Sequence, residues 1–254
     1  MLEGVRSSIP GGTLVSESTT RSLLAGLPVA ARLRPASSGA SLTRWAAVST
    51  VLAPLTMIGA WLVAEALQPP SYSPLHSSIS GLAMLGATDR WIVTGALLLV
   101  GACYFVTAAC LPGLRRPARI VLLIAGLSSI GIAMSPQPVH GTNAQHLVWT
   151  SLGAVAIAVW PAFTASRAPS QPLILRPLGA AAVTVVSLAL LAWLVAETQG
   201  GSALGLAERL VTGVQMTWPF IVILALRSGK VRNERSNSVL RTDRCAAGAR
   251  NGPT

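Results

Sequence analysis

Six apolar runs of roughly 20 residues, none with a charge near its middle, constrain this chain more than any other feature. They cover residues 45–67, 91–111, 118–135, 146–165, 177–197 and 208–226. A helix rises about 1.5 Å per residue, so each run is long enough to cross the hydrocarbon core of a bilayer. Composition agrees: 52% of residues are hydrophobic and 11% charged, whereas a soluble domain carries about a quarter charged residues. The expected fold is all-α, a polytopic membrane protein built as a six-transmembrane-helix bundle over residues 44–227. Residues 1–43 and 228–254 are polar, rich in arginine, and without sustained periodicity; they read as disordered cytoplasmic tails. The stretch 23–31 follows Arg21 and is apolar, but Gly26 and Pro28 break it and Arg32 and Arg34 end it. It is therefore read as part of the tail and not as a cleaved signal.

The net charge of +11 is a matter of topology. All but two of the 19 basic residues fall in the two tails, in the connection between spans two and three, or in the loop after span four. Those two, Arg90 and Arg209, lie at the opposite side. Positive residues stay cytoplasmic, and an even number of spans puts both tails on one side. Both ends are expected inside, in the cytoplasmic (inner) membrane. The excess charge would face anionic headgroups; nucleic acid is not an expected partner, because no basic reading face is formed. The three cysteines make no disulfide framework. Cys103 and Cys110 read as small apolar residues inside a span, and Cys245 lies in the tail. Pro54, Pro161 and Pro219 sit within spans and should kink them.

The pentapeptide WLVAE occurs twice, at Trp61–Glu65 and Trp193–Glu197, each time closing a span that runs outward. Residues four apart share a helix face, so each tryptophan is expected at the headgroup level with its glutamate one turn further out. Trp91 and Trp149 would complete an outer belt. Each copy is followed by an outer segment, an acid–arginine pair (Asp89-Arg90, Glu208-Arg209) and a returning helix. Two readings remain: related hairpins, or coincidence in a chain rich in Ala, Leu and Val.

The polar groups that could carry chemistry gather on the outer side. His76, His140 and His146, with Asp89 and other outer carboxylates, are of the types that hold zinc or a similar divalent ion, although their spacing matches no metal motif. His76 and Ser80 are four apart on a short amphipathic stretch of a long outer loop, 68–90, where a serine nucleophile beside a histidine base could sit. Glu65, Arg90, Glu197, Glu208 and Arg209 are candidate ligand-binding groups at the outer helix ends. Gln215 is the one large amide at depth, lining a pathway or bonding a neighbouring helix. Small residues four apart, Ser129 with Ala133 and Ala154 with Ala158, read as close helix packing. No Asp, Glu, Lys or Arg lies mid-span, which disfavours a central carboxylate relay.

The stretch Tyr72-Ser73-Pro74-Leu75-His76-Ser77-Ser78-Ile79-Ser80 and the closing Glu208-Arg209-Leu210 … Trp218-Pro219-Phe220 resemble domain-of-unknown-function family 998, a prokaryotic family of six-helix membrane proteins. The resemblance covers residues 45–227 and excludes both tails. It implies a six-helix fold and a first outer loop bearing Ser and His. It implies no established activity, so no catalytic role is carried over.

The favoured function is non-enzymatic: binding of a lipid or small molecule, or envelope support, through the outer face, with membrane lipids as partners and no cofactor. The alternative is a membrane hydrolase, metal-dependent if His76, His140 and His146 converge on a divalent ion. A small-solute transporter is the third. The sequence sets no oligomeric state.

Overall fold

The computed structural model describes the backbone of residues 36–168 and 171–250 and the side chains of residues 43–168 and 171–228. Contacts divide the chain into Met1–Ser38 and Gly39–Thr254; the second unit is described below. The tail expected over residues 1–43 lies mostly outside the described residues.

Seven α-helices and one 3-10 turn make up the described chain: α1 Ala36–Ala66, α2 Ile79–Leu82, α3 Trp91–Cys110, α4 Arg116–Met134, α5 Ala144–Thr164, the turn Leu173–Leu175, α6 Pro177–Glu197 and α7 Leu204–Arg250. Six of them are long and apolar enough to cross a membrane: Thr43–Ala66, Trp91–Cys110, Arg116–Met134, Ala144–Thr164, Pro177–Glu197 and Leu204–Ser228. The chain is a six-span helical membrane protein. The ends differ from the sequence reading by at most four residues, because local capping and not hydropathy decides the last turn. Asn143 caps α5 by accepting from Gln145 N at 3.0 Å. Proline stands at the first or second position of α4 and α6, where its missing N–H costs nothing. The backbone of α7 continues to Arg250, helical where composition suggests an unordered tail.

Consecutive spans from α3 onward pack side by side, as short connections require. Lipid tails are as apolar as leucine, so close approach and interhelical hydrogen bonds must hold such helices together. Both are present. A Cβ at Gly101 of α3 would lie 2.8 Å from the Gly126 carbonyl oxygen of α4; glycine at these two positions lets the backbones touch. Ser129 Oγ donates to the Leu97 carbonyl at 2.7 Å, and Trp160 Nε1 of α5 donates to the Ala118 carbonyl of α4 at 2.9 Å. Ser49 of α1 and Thr107 of α3 share a hydroxyl–hydroxyl bond of 2.8 Å. Ser129, Ala133 and Ala158 are buried, as their spacing suggests, whereas the closest approach falls at glycines outside those pairs. Pro54, Pro161 and Pro219 all lie inside helices.

The span α6 stands apart. Only 11% of its apolar window is buried within the protein, against 56% for α3. Ala180 and Ser187 are its buried residues, and Leu178, Val185, Val186 and Val195 are exposed.

At the arginine-rich end, Arg119 closes the C-terminus of α3. Its guanidinium donates to the carbonyls of Ala108, Ala109, Leu111 and Leu114. A cation there satisfies the orphan carbonyls and opposes the negative end of the helix dipole.

Candidate functional site: a latched lid over a bundle cavity

The arginine-poor end is organised by two neighbouring residues near the start of α7. Glu208 accepts from Ile79 N at 2.6 Å, from Ser80 N at 3.3 Å and from Ser80 Oγ at 3.0 Å. The first N–H groups of a helix have no partner within it, and here a carboxylate from another helix takes two of them. Ser78 caps the same short helix, accepting from Gly81 N at 3.0 Å. Arg209 binds the flank of the same loop. It pairs with Glu65, its Nε 2.7 Å from Oε1, and it donates to the Tyr72 hydroxyl at 2.7 Å and to the Ser77 carbonyl at 2.9 Å. Burial raises the Tyr72 phenol above its ordinary value, while the Arg209 charge beside it pulls the other way. Gly205 makes the approach possible: a Cβ there would collide with the carbonyl oxygens of Pro74 and Ser77. The loop 67–90 is thereby fastened as a lid across α1 and α7. Leu85 N also donates to the Gln137 carbonyl at 2.8 Å, which ties the lid to the connection between α4 and α5.

Beneath the lid lies a cavity of about 130 Å³. Every span contributes to its wall: Met57, Leu97, Ser129, Ile157, Leu194 and Gln215 come from α1, α3, α4, α5, α6 and α7 in turn. The lid supplies Ile79, Ser80 and Ala83, and Glu208 stands where lid and cavity meet. The wall is predominantly apolar. Gln215 is 3% exposed, and its Nε2, like the Thr150 Oγ1 in the same wall, has no hydrogen-bond partner in the protein. An unmade buried hydrogen bond costs about 1–3 kcal/mol, and these two groups carry that cost in the ligand-free protein.

The residues singled out in the sequence distribute unevenly over this arrangement. Glu65, Ser80, Glu208, Arg209 and Gln215 belong to lid or cavity. The three histidines do not meet. His76 sits on the lid surface with Nδ1 2.5 Å from the Ser202 carbonyl. His146 is buried in α5 with Nδ1 2.9 Å from the Ser135 carbonyl. A carbonyl can only accept, so in both rings Nδ1 carries the proton. His140 is exposed in the second loop. Among the described residues no three His, Cys, Asp or Glu side chains come together in a way that could hold a metal ion; His76 and His146 are held by different carbonyls, Ser202 and Ser135. Ser80 Oγ bonds Glu208, not His76, so the serine–histidine pairing considered for a hydrolase is replaced by a cap. Asp89 lies in a turn at φ 47°, and the Arg90 guanidinium stacks on the Trp91 ring at 3.8 Å. Neither reaches the cavity wall.

The two copies of WLVAE are used differently. Glu197 remains local: it accepts from Trp193 Nε1 at 3.0 Å and from Ala203 N at 2.8 Å. Glu65 instead meets Arg209, 144 residues away. Trp61 is 7% exposed and packs in the core, which removes it from the outer belt. Sequence reasoning quoted Tyr72 within the distinctive loop stretch but gave it no role, and it missed Gly205; a phenol inside a long outer loop and a glycine at a helix start were the available signals.

The family model for proteins of unknown function DUF998 matches residues 51–225, a range that holds the lid, the latch and the whole cavity wall. The chain belongs to the DUF998 family. No curated protein and no solved structure matches it. The membership agrees with the resemblance drawn from the lid segment and from the start of α7.

Proposed function

We propose that this DUF998 protein binds a slim, largely apolar small molecule or lipid chain inside its bundle, under the lid formed by residues 67–90. The observation that carries the reading is the cavity to which all six spans contribute. Interior sites of this kind are mostly apolar with a few placed polar groups, and here Glu208 marks one end and Gln215 the depth. The reading is non-enzymatic. Ser80 and Glu208 are engaged with each other, and His76 is engaged with Ser202, so the polar groups of the lid serve to close it. The distribution of arginine supports a location in the cytoplasmic membrane with both ends of the chain in the cytoplasm, which puts the lid on the outer face.

The test is organic extraction of the purified protein followed by mass spectrometry, with Ala154→Phe as the comparison, because Ala154 lines the cavity and a phenyl ring there fills it. A compound enriched in the wild-type extract and depleted in the variant is expected. Indistinguishable extracts from two equally folded proteins would overturn the reading. Reporter fusions at either terminus check the orientation, and activity only on the outer side refutes it.

A further inference from the structure

The depth of the cavity carries information about the ligand, given the binding reading above, on which this inference rests. Gln215 follows Glu208 by seven residues. At 3.6 residues and 5.4 Å per turn, the two side chains share one face of α7 and stand roughly 10 Å apart along its axis. Val211 and Thr212 of the same face lie between them and also line the cavity. The wall contributed by α7 therefore reads acid, small turn, amide.

Two residues of the cavity wall carry hydrogen-bonding atoms left without a partner. Gln215 Nε2 can only donate, and a threonine hydroxyl can donate as well as accept. Both Nε2 and the Thr150 Oγ1 lack partners in the protein, whereas Ser129 in the same wall is committed to the Leu97 carbonyl. Among the described residues lining the cavity, Glu208 is the only carboxylate, and no Lys, Arg or His is present. An anion lodged beside Gln215 would thus be buried without a counter-charge, and a cation there would stand about two helical turns from the one carboxylate; both are costly. A neutral acceptor is not.

We propose that the ligand is an uncharged chain bearing a ketone or ester carbonyl about two helical turns below the lid, and that Gln215 Nε2 and Thr150 Oγ1 donate to that carbonyl. The selectivity is the point of the site. A hydrocarbon of the same length fills the cavity but leaves both donors unmade.

The probes are radiolabelled 2-undecanone and undecane, which share chain length and differ in one carbonyl. Binding is measured to the purified full chain in detergent, with Ala154→Phe giving the background. Wild type is expected to bind the ketone roughly tenfold more tightly than the alkane, the ratio expected for one satisfied buried hydrogen bond. Gln215→Leu should abolish that ratio by weakening the ketone while leaving the alkane unchanged or tighter. Thr150→Val, nearly isosteric, should reduce it in the same direction and keep the protein folded if Gln215→Leu does not. Equal binding of ketone and alkane by wild type, or a ratio untouched by both variants, overturns the carbonyl assignment and leaves the cavity reading standing. Binding of neither probe above the Ala154→Phe background removes the cavity reading itself.

Discussion

Arg209 is the residue whose loss should be felt most at the lid. Its side chain is 12% exposed and that of its partner Glu65 13%, so neither charge is well solvated. Replacing Arg209 with methionine keeps much of the stem and removes every donor: those to Glu65, Tyr72, Ser77 and Gly205. The Glu65 carboxylate is then stranded in a half-dry setting. Removing one member of a buried pair costs about 3–5 kcal/mol. If Glu65 is changed to leucine as well, nothing charged is stranded. What remains is the loss of the bonds to the Ser77 and Gly205 carbonyls and to Tyr72, each worth about 1 kcal/mol net and partly regained by water. The double variant should therefore be more stable than Arg209→Met, with a coupling of about 2–3 kcal/mol between the two sites. The assay is a double-mutant cycle on detergent-solubilised protein, followed by circular dichroism during denaturation. Coupling below about 0.5 kcal/mol would refute the reasoning, because it would mean that the pair behaves like an exposed one.

Two further expectations follow from the same end of the molecule. Gly205→Ala should destabilise the lid by about 1–3 kcal/mol, the usual cost of forcing extra carbon into a close-packed contact, and it should speed proteolysis within residues 67–90; unchanged cleavage would show that α7 and the lid do not touch there. The Tyr72 phenol, held above its ordinary 10.0 mainly by burial, stays protonated in the folded state to a higher pH than in the unfolded one. Its contribution is complete below about pH 10 and fades as pH rises through the folded value, so stability at the lid should stay level from neutral pH to about 10 and fall above it, with Tyr72→Phe falling less steeply.

Hydropathy alone made the six spans legible, since a run long enough to cross a bilayer leaves little choice of element. Proline positions within the spans were legible for the same local reason. What stayed hidden depends on partners far along the chain. Identical WLVAE segments met different neighbours, Arg209 in one case and Trp193 with Ala203 in the other, and no local pattern encodes that choice. Trp61, chemically suited to the headgroup level, went inward because the bundle had a space for it. The acid–arginine pairs looked alike in sequence, yet Asp89-Arg90 makes a turn and a ring stack while Glu208-Arg209 holds the lid. Gln215 was visible as an unusual amide at depth; that it faces a cavity needed the placement of five other helices.

The sparse embedding of α6 has a consequence for how this chain can vary. A stave that leans mainly on acyl tails gives up almost nothing when one aliphatic group is swapped for another, because the surrounding oil offers the same company to each. Exchanges among leucine, isoleucine, valine and phenylalanine at positions 178, 185, 186 and 195 should pass nearly unnoticed. A lysine at the centre of that exterior stripe would meet solvent of the wrong kind and fail at insertion.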